Sequence, residues 1–208
     1  MKKADFLIPS GLFFGICSVF SFWWLRNPSI AEENAIMENI QVGLLLLALF
    51  FVLQRFRREW SWNPVLILFF LTFLTVLLRE VDLRPFPLPG YIIFVSSKGR
   101  NMALAIGWSV FFYFLIKNYN FSTKEFKKIT GTTSGRYFIL GCSFYLIASL
   151  FDAGISGLTK QTAQFMEELL ESTGTLSFAV ASLYYSREYS GCGAREGSRT
   201  PTSCPTGS

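Results

Sequence analysis

Four carboxylates and one arginine of this 208-residue chain fall at nearly one height along segments apolar enough to cross a bilayer. Counted at about 1.5 Å per helical residue from the cytoplasmic end of each segment, Glu38 stands roughly 24 Å up, Arg79 and Asp152 roughly 22 Å, and Glu171 roughly 21 Å. Glu167 is one turn above Glu171. A hydrocarbon core is about 30 Å thick, so the layer is expected in its outer third. Ionisable groups at that depth are costly and face a bundle interior, a partner or a water-filled cavity. Helical spacing lines up further polar residues with them: Thr72, Thr75, Arg79 and Asp82; Cys142, Tyr145, Ser149 and Asp152; Asn34, Glu38 and Gln41; Glu167, Glu171 and Gly174. The candidate ligand-binding residues are therefore Glu38, Gln41, Arg79, Asp82, Asp152, Glu167 and Glu171.

Two readings of the layer stand. The stripes form one pocket open toward the outer face, or helix ends simply turn polar at the interface, with acids on the second and sixth segments favoured by N-terminal dipoles. Glu32, Glu33 and Glu168 are expected on a solvated face or loop. Three chemistries suit a pocket of this kind. Carboxylates with amide and hydroxyl oxygens are hard ligands for Ca²⁺, Mg²⁺ or Mn²⁺. Crowded acids at low dielectric hold a proton. Arg79 can instead neutralise two of the acids in a structural network. No contiguous metal-loop motif is present, and no cofactor is identified.

The elements that must position these residues follow from hydropathy. Apolar residues make up 51% of the chain and aromatic ones 17%, with 23 Phe and a mean hydropathy of +0.38. That composition points to an all-α, polytopic membrane helix bundle. Spans are expected at 6–25, 35–54, 64–82, 102–117, 137–152 and 163–185, forming a domain over 1–189 with a disordered Gly/Ser/Thr/Pro tail at 190–208. The first run lacks small cleavage-site residues, ends in Trp23-Trp24-Leu25 and is read as a retained span.

Basic residues alternate with acidic ones between spans. Lys2 and Lys3, then Arg55, Arg57 and Arg58, then Lys117, Lys124, Lys127, Lys128 and Arg136, then Arg187 fall on one side of a six-span chain, which makes that side the cytoplasm and puts both termini there. Glu80 counts among the acids of the outer loops. The net charge of +5 is accounted for by these clusters, so no nucleic-acid partner is inferred; the lipid bilayer is the partner implied. The outer loop 83–101 carries Pro85, Pro87 and Pro89 and a short apolar stretch at 91–95 that is expected to dip into the interface or cover the outer mouth.

Histidine is absent, which removes imidazole acid/base catalysis, His-ligated zinc and Ser-His-Asp chemistry. The four cysteines form no CxxC, so no redox or zinc motif is supported. Gly11 and Gly15 make a GxxxG in the first span, the mark of close helix packing within the chain or in a homo-oligomer.

The run from Glu33 through Glu38 to Gln41, followed by Arg79-Glu80-Val81-Asp82, Phe151-Asp152 and Glu167-Glu168-Leu169-Leu170-Glu171, resembles a group of small, uncharacterised bacterial six-helix inner-membrane proteins. The resemblance implies a multi-pass inner-membrane location and no established activity. The acid-rich entry to the second span is also faintly similar to the calcium-binding start of alkaline ceramidases, which belong with histidine- and zinc-using seven-helix hydrolases; this chain has six spans and no histidine. The function expected is binding of a cation, proton or small polar ligand in an outward-facing carboxylate/arginine pocket, for transport or sensing. The alternatives are an intramembrane enzyme using carboxylates and a hard metal on a lipid substrate, or a structural or assembly subunit.

Overall fold

The computed structural model describes residues 4–27, 36–58, 63–80, 99–153 and 157–193. Among them are seven helices and no strand: α1 (Ala4–Arg26), α2 (Ile36–Arg58), α3 (Pro64–Glu80), α4 (Arg100–Lys117), α5 (Tyr119–Gly131), α6 (Thr133–Asp152) and α7 (Lys160–Gly193). The protein is all-α, and each expected span falls on one helix. By length and composition α2 and α6 are each able to cross a membrane, and α4 with α5, bent by 104°, is a third candidate. That is fewer than six; α3, for one, is apolar but only 17 residues long. Asp82, the prolines of the outer loop, the apolar stretch 91–95 and residues 194–208 lie outside the described residues.

Two boundaries differ from expectation for local reasons. The link between the fourth and fifth spans is itself helical, because Ser122 and Ile129 are buried and Phe126 is half-buried on one side of α5, with Lys124, Lys127 and Lys128 exposed on the other. That is the 3.6-residue period of an amphipathic helix. α6 then starts at Thr133 rather than at 137, since Thr132 Oγ1 accepts from the Gly135 amide at 3.1 Å and caps the new helix. Gly135 is required there: a Cβ would stand 1.9 Å from the Ile129 carbonyl oxygen. α3 is started by Asn63, whose Oδ1 accepts from Val65 N at 3.0 Å while its Nδ2 donates to the Tyr185 hydroxyl at 2.9 Å, fastening α3 to α7.

α7 is the central helix, packed on α6 and α2 and touching α1. Glu171, Ser172, Thr173, Gly174 and Thr175 are all buried in succession, so at this level α7 is covered on every side. Small side chains make that possible. A Cβ on Gly174 would lie 2.8 Å from the Tyr145 ring and 3.1 Å from the Gly141 carbonyl, and one on Gly141 would lie 3.0 Å from the Gly174 carbonyl. The two backbones meet at this pair, as small residues allow in membrane helices. Below it an aromatic core joins α3, α6 and α7, with Phe69 stacked on Phe138 at 4.3 Å and Phe73 against Phe178 at 5.1 Å.

The outside of the bundle is apolar. Leu46, Phe50, Ile106, Phe112, Ile116, Ile147 and Leu150 are all exposed, with Ile116 at 77% and Leu146 at 71%. Contiguous exposed apolar surface of this kind marks an interaction with a partner or a membrane. With Ser172, Thr173, Thr175, Ser177 and Ser182 buried and so many Leu, Ile and Phe side chains exposed, the distribution suits a surrounding of hydrocarbon.

Candidate functional site

Arg79, on the last turn of α3, donates through Nη2 to Glu171 of α7 and to Glu80 at 2.8 Å, with Nε also on Glu80 at 3.0 Å. Its guanidinium lies 5.4 Å from the centre of the Tyr145 ring. Tyr145, from α6, hydrogen-bonds the Thr175 hydroxyl of α7 at 2.5 Å, which holds the ring against Gly174. Glu171 is only 2% exposed, whereas the Arg79 side chain is half-exposed. The carboxylate is thus inside and the cation at its mouth.

A second group sits one turn away on the α2 side of α7. Gln41 is fully buried at 0% exposure and its Nε2 donates to Glu168 Oε2 at 2.9 Å and to Ser172 Oγ at 3.2 Å. The amide must point its NH₂ at the carboxylate, since the reverse orientation would set two acceptors face to face. Gln41 Oε1 is consequently left with no hydrogen-bond partner among the described residues, an unusual state for a buried amide.

The two groups form one electrostatic unit. Glu80, Glu171 and Glu168 act on one another, Glu38 acts on both Glu80 and Glu168, and Asp152 acts on Glu167 and Glu171. Of the residues singled out by depth and helical spacing, Arg79, Glu171 and Gln41 are core members, Glu38 and Glu167 are half-buried, and Asp152 is exposed at the end of α6. Asp82 lies outside the described residues. Two members were misread from sequence. Glu168 is the carboxylate on Gln41 rather than a solvated residue, and Glu80, counted with the outer loops, has a side chain only 8% exposed against Arg79. Their signal was adjacency: each directly follows a residue already singled out by depth.

Gly11 and Gly15 are exposed, and a Cβ at either would meet nothing within 4 Å. Among the described residues of this chain they mark no close packing.

Among the described residues no group of three His, Cys, Asp or Glu side chains is arranged to hold a metal ion. Instead two acids, Glu171 and Glu80, share one guanidinium and a third, Glu168, accepts from an amide, an arrangement suited to accepting hydrogen bonds. No family model, curated protein or solved structure matches this chain.

Proposed function

We propose that this is a polytopic inner-membrane protein of six spans with both termini in the cytoplasm, and that its carboxylate/arginine cluster is an outward-facing site for a proton or a small cation, used in transport or sensing. The observation that carries this reading is the excess of acceptors over donors. One guanidinium serves Glu171 and Glu80, while among the described residues Glu168 receives only the neutral NH₂ of Gln41, and the oxygen of that same amide, Gln41 Oε1, receives nothing. A positively charged donor between Glu168 and Gln41 would satisfy both, and buried acids without a compensating cation are otherwise expensive. The apolar outer surface of the bundle and the clusters of Lys and Arg between helices support the membrane part of the reading.

Infrared difference spectroscopy of the purified protein in lipid tests it. A step across neutral pH should produce a protonated-carboxyl band that Glu168→Gln removes and Gln41→Leu shifts. If a cation rather than a proton is the physiological ligand, adding it at constant pH should produce the same band with opposite sign, as protons are displaced. Identical spectra from the wild type and Glu168→Gln would overturn the proposal.

A further inference from the structure

At the opposite end of the bundle, the sharp bend between α4 and α5 encloses a cavity of about 310 Å³. Pro64 and Ile67 of α3, Phe114 and Leu115 of α4, Phe121 of α5 and Asn118 at the bend are among its lining residues. The volume is at the lower end of the range for small-molecule sites. Its walls are almost wholly apolar, with Asn118 and Ser122 the polar exceptions.

The surroundings say what would fill it. α5 turns by 104° away from α4 and buries Ser122 and Ile129 while exposing Lys124, Lys127 and Lys128. An amphipathic helix with a lysine-rich polar face that lies across the bundle end is the form taken by helices in the plane of a membrane interface. Lys117 immediately precedes the lining residue Asn118, and Lys124 is one turn beyond the lining residue Phe121. Lys128 is engaged by Glu125 at 2.6 Å. Lys117, Lys124 and Lys127 have no carboxylate partner among the described residues, and all three are exposed. The site therefore joins an apolar slot to an uncompensated positive rim, and a lysine stem is long enough to bring its ammonium up to a phosphate.

We propose that this elbow cavity binds an anionic phospholipid of the cytoplasmic leaflet, one acyl chain lying between α3, α4 and α5 and the phosphate held by Lys117 and Lys124. It goes beyond the outer-face cation site, and rests on the membrane reading only for the leaflet. Binding contributes in two separable parts. The slot removes methylenes from no water that the bilayer had not already excluded, so it selects for fit rather than for burial. The lysines supply the choice of headgroup, and two basic groups at a surface favour an anionic lipid by on the order of tenfold.

The test is native mass spectrometry of the full chain released from micelles doped with equimolar phosphatidylglycerol and phosphatidylcholine of the same acyl chains. The wild type should retain one phosphatidylglycerol, preferred on the order of tenfold. Lys117→Gln with Lys124→Gln should bring the ratio to near one, and the corresponding pair of Arg substitutions should restore it. Lys127→Gln should change the ratio less, since Lys127 is about 120° around α5 from Phe121, twice as far as Lys124. Leu115→Trp should fill the slot and lower retention of both lipids; where that variant fails to fold, the Lys→Gln and Lys→Arg pairs still decide the matter. Equal retention of the two lipids by the wild type, or a preference unaltered in the Lys→Gln pair, would overturn the proposal. Either of those results in a protein that still resists alkaline extraction from membranes leaves the membrane reading intact, whereas release by alkali would remove that reading instead.

Discussion

Removing Arg79 should cost more than removing the acid it binds, and the structure says by how much. Arg79→Gln strands Glu171, a carboxylate 2% exposed, and leaves Glu80 without its two hydrogen bonds from the guanidinium. Breaking a buried pair from one side costs about 3 to 5 kcal/mol. The stranded carboxylate has one escape, which is to take up a proton. For an ordinary glutamate at pH 7 that costs about 3.7 kcal/mol, from 1.36 kcal/mol per unit over roughly 2.7 units. Protonation thus caps the share of the loss that falls on Glu171 near 4 kcal/mol. Glu171→Gln is milder. Arg79 keeps Glu80 and is half-exposed, so about 1 to 2 kcal/mol is expected.

Thermal unfolding in detergent would place Arg79→Gln about 10 °C below the wild type at pH 7. Adding Glu171→Gln to Arg79→Gln should raise the midpoint at pH 7, since the second substitution removes the stranded acid. A double variant no more stable than Arg79→Gln alone would refute the claim that Arg79 is the counter-charge of a buried acid.

Gly174→Ala puts a methyl 2.8 Å from the Tyr145 ring and 3.1 Å from the Gly141 carbonyl, and should cost about 1 to 3 kcal/mol in detergent unfolding, whereas Gly15→Ala, with nothing within 4 Å, should leave the midpoint unchanged or slightly raised. Asn63→Ala removes both the cap of α3 and the hydrogen bond to Tyr185, and a loss of about 1 to 2 kcal/mol is expected in the same assay. For the six-span topology, a reporter active only outside the cytoplasm should be active when fused after Pro28 or Gly157 and silent after Arg58 or Lys124; one exchanged result would break that topology.

The helices were legible in the sequence because apolar runs long enough to be helical in a membrane leave the backbone no other way to satisfy itself. α5 was less so, since its signal is a period and not a run: Ser122, Phe126 and Ile129 on one side and lysines on the other. The close crossing of Gly141 and Gly174 left no such signal, since these are single glycines on two helices that no spacing within either helix connects.

The candidate site was legible in depth and not in rotation. Height along each span located Arg79 and Glu171 at one level and helical spacing from Glu38 added Gln41, but depth is silent on which way each residue turns, and the stripes drawn from helical spacing assumed that every helix has one inward face. α7 breaks that assumption. Buried continuously from Glu171 to Thr175, it has neighbours all round, so Glu168 and Glu171, about 60° apart by the 100° step of a helix, meet different partners: Gln41 of α2 for the first, Arg79 of α3 for the second. The physical reason lies in composition. A helix carrying Ser172, Thr173, Gly174, Thr175 and Ser177 has no bulky stripe to set its phase, and it turns polar hydroxyls back on its own carbonyls, as Thr173 does to Leu169 at 2.8 Å and Ser177 to Thr173 at 2.9 Å. Such a helix can be surrounded. Acids on several of its faces then become internal at once, and this is how the chain comes to gather more carboxylates around Arg79 than one guanidinium can neutralise.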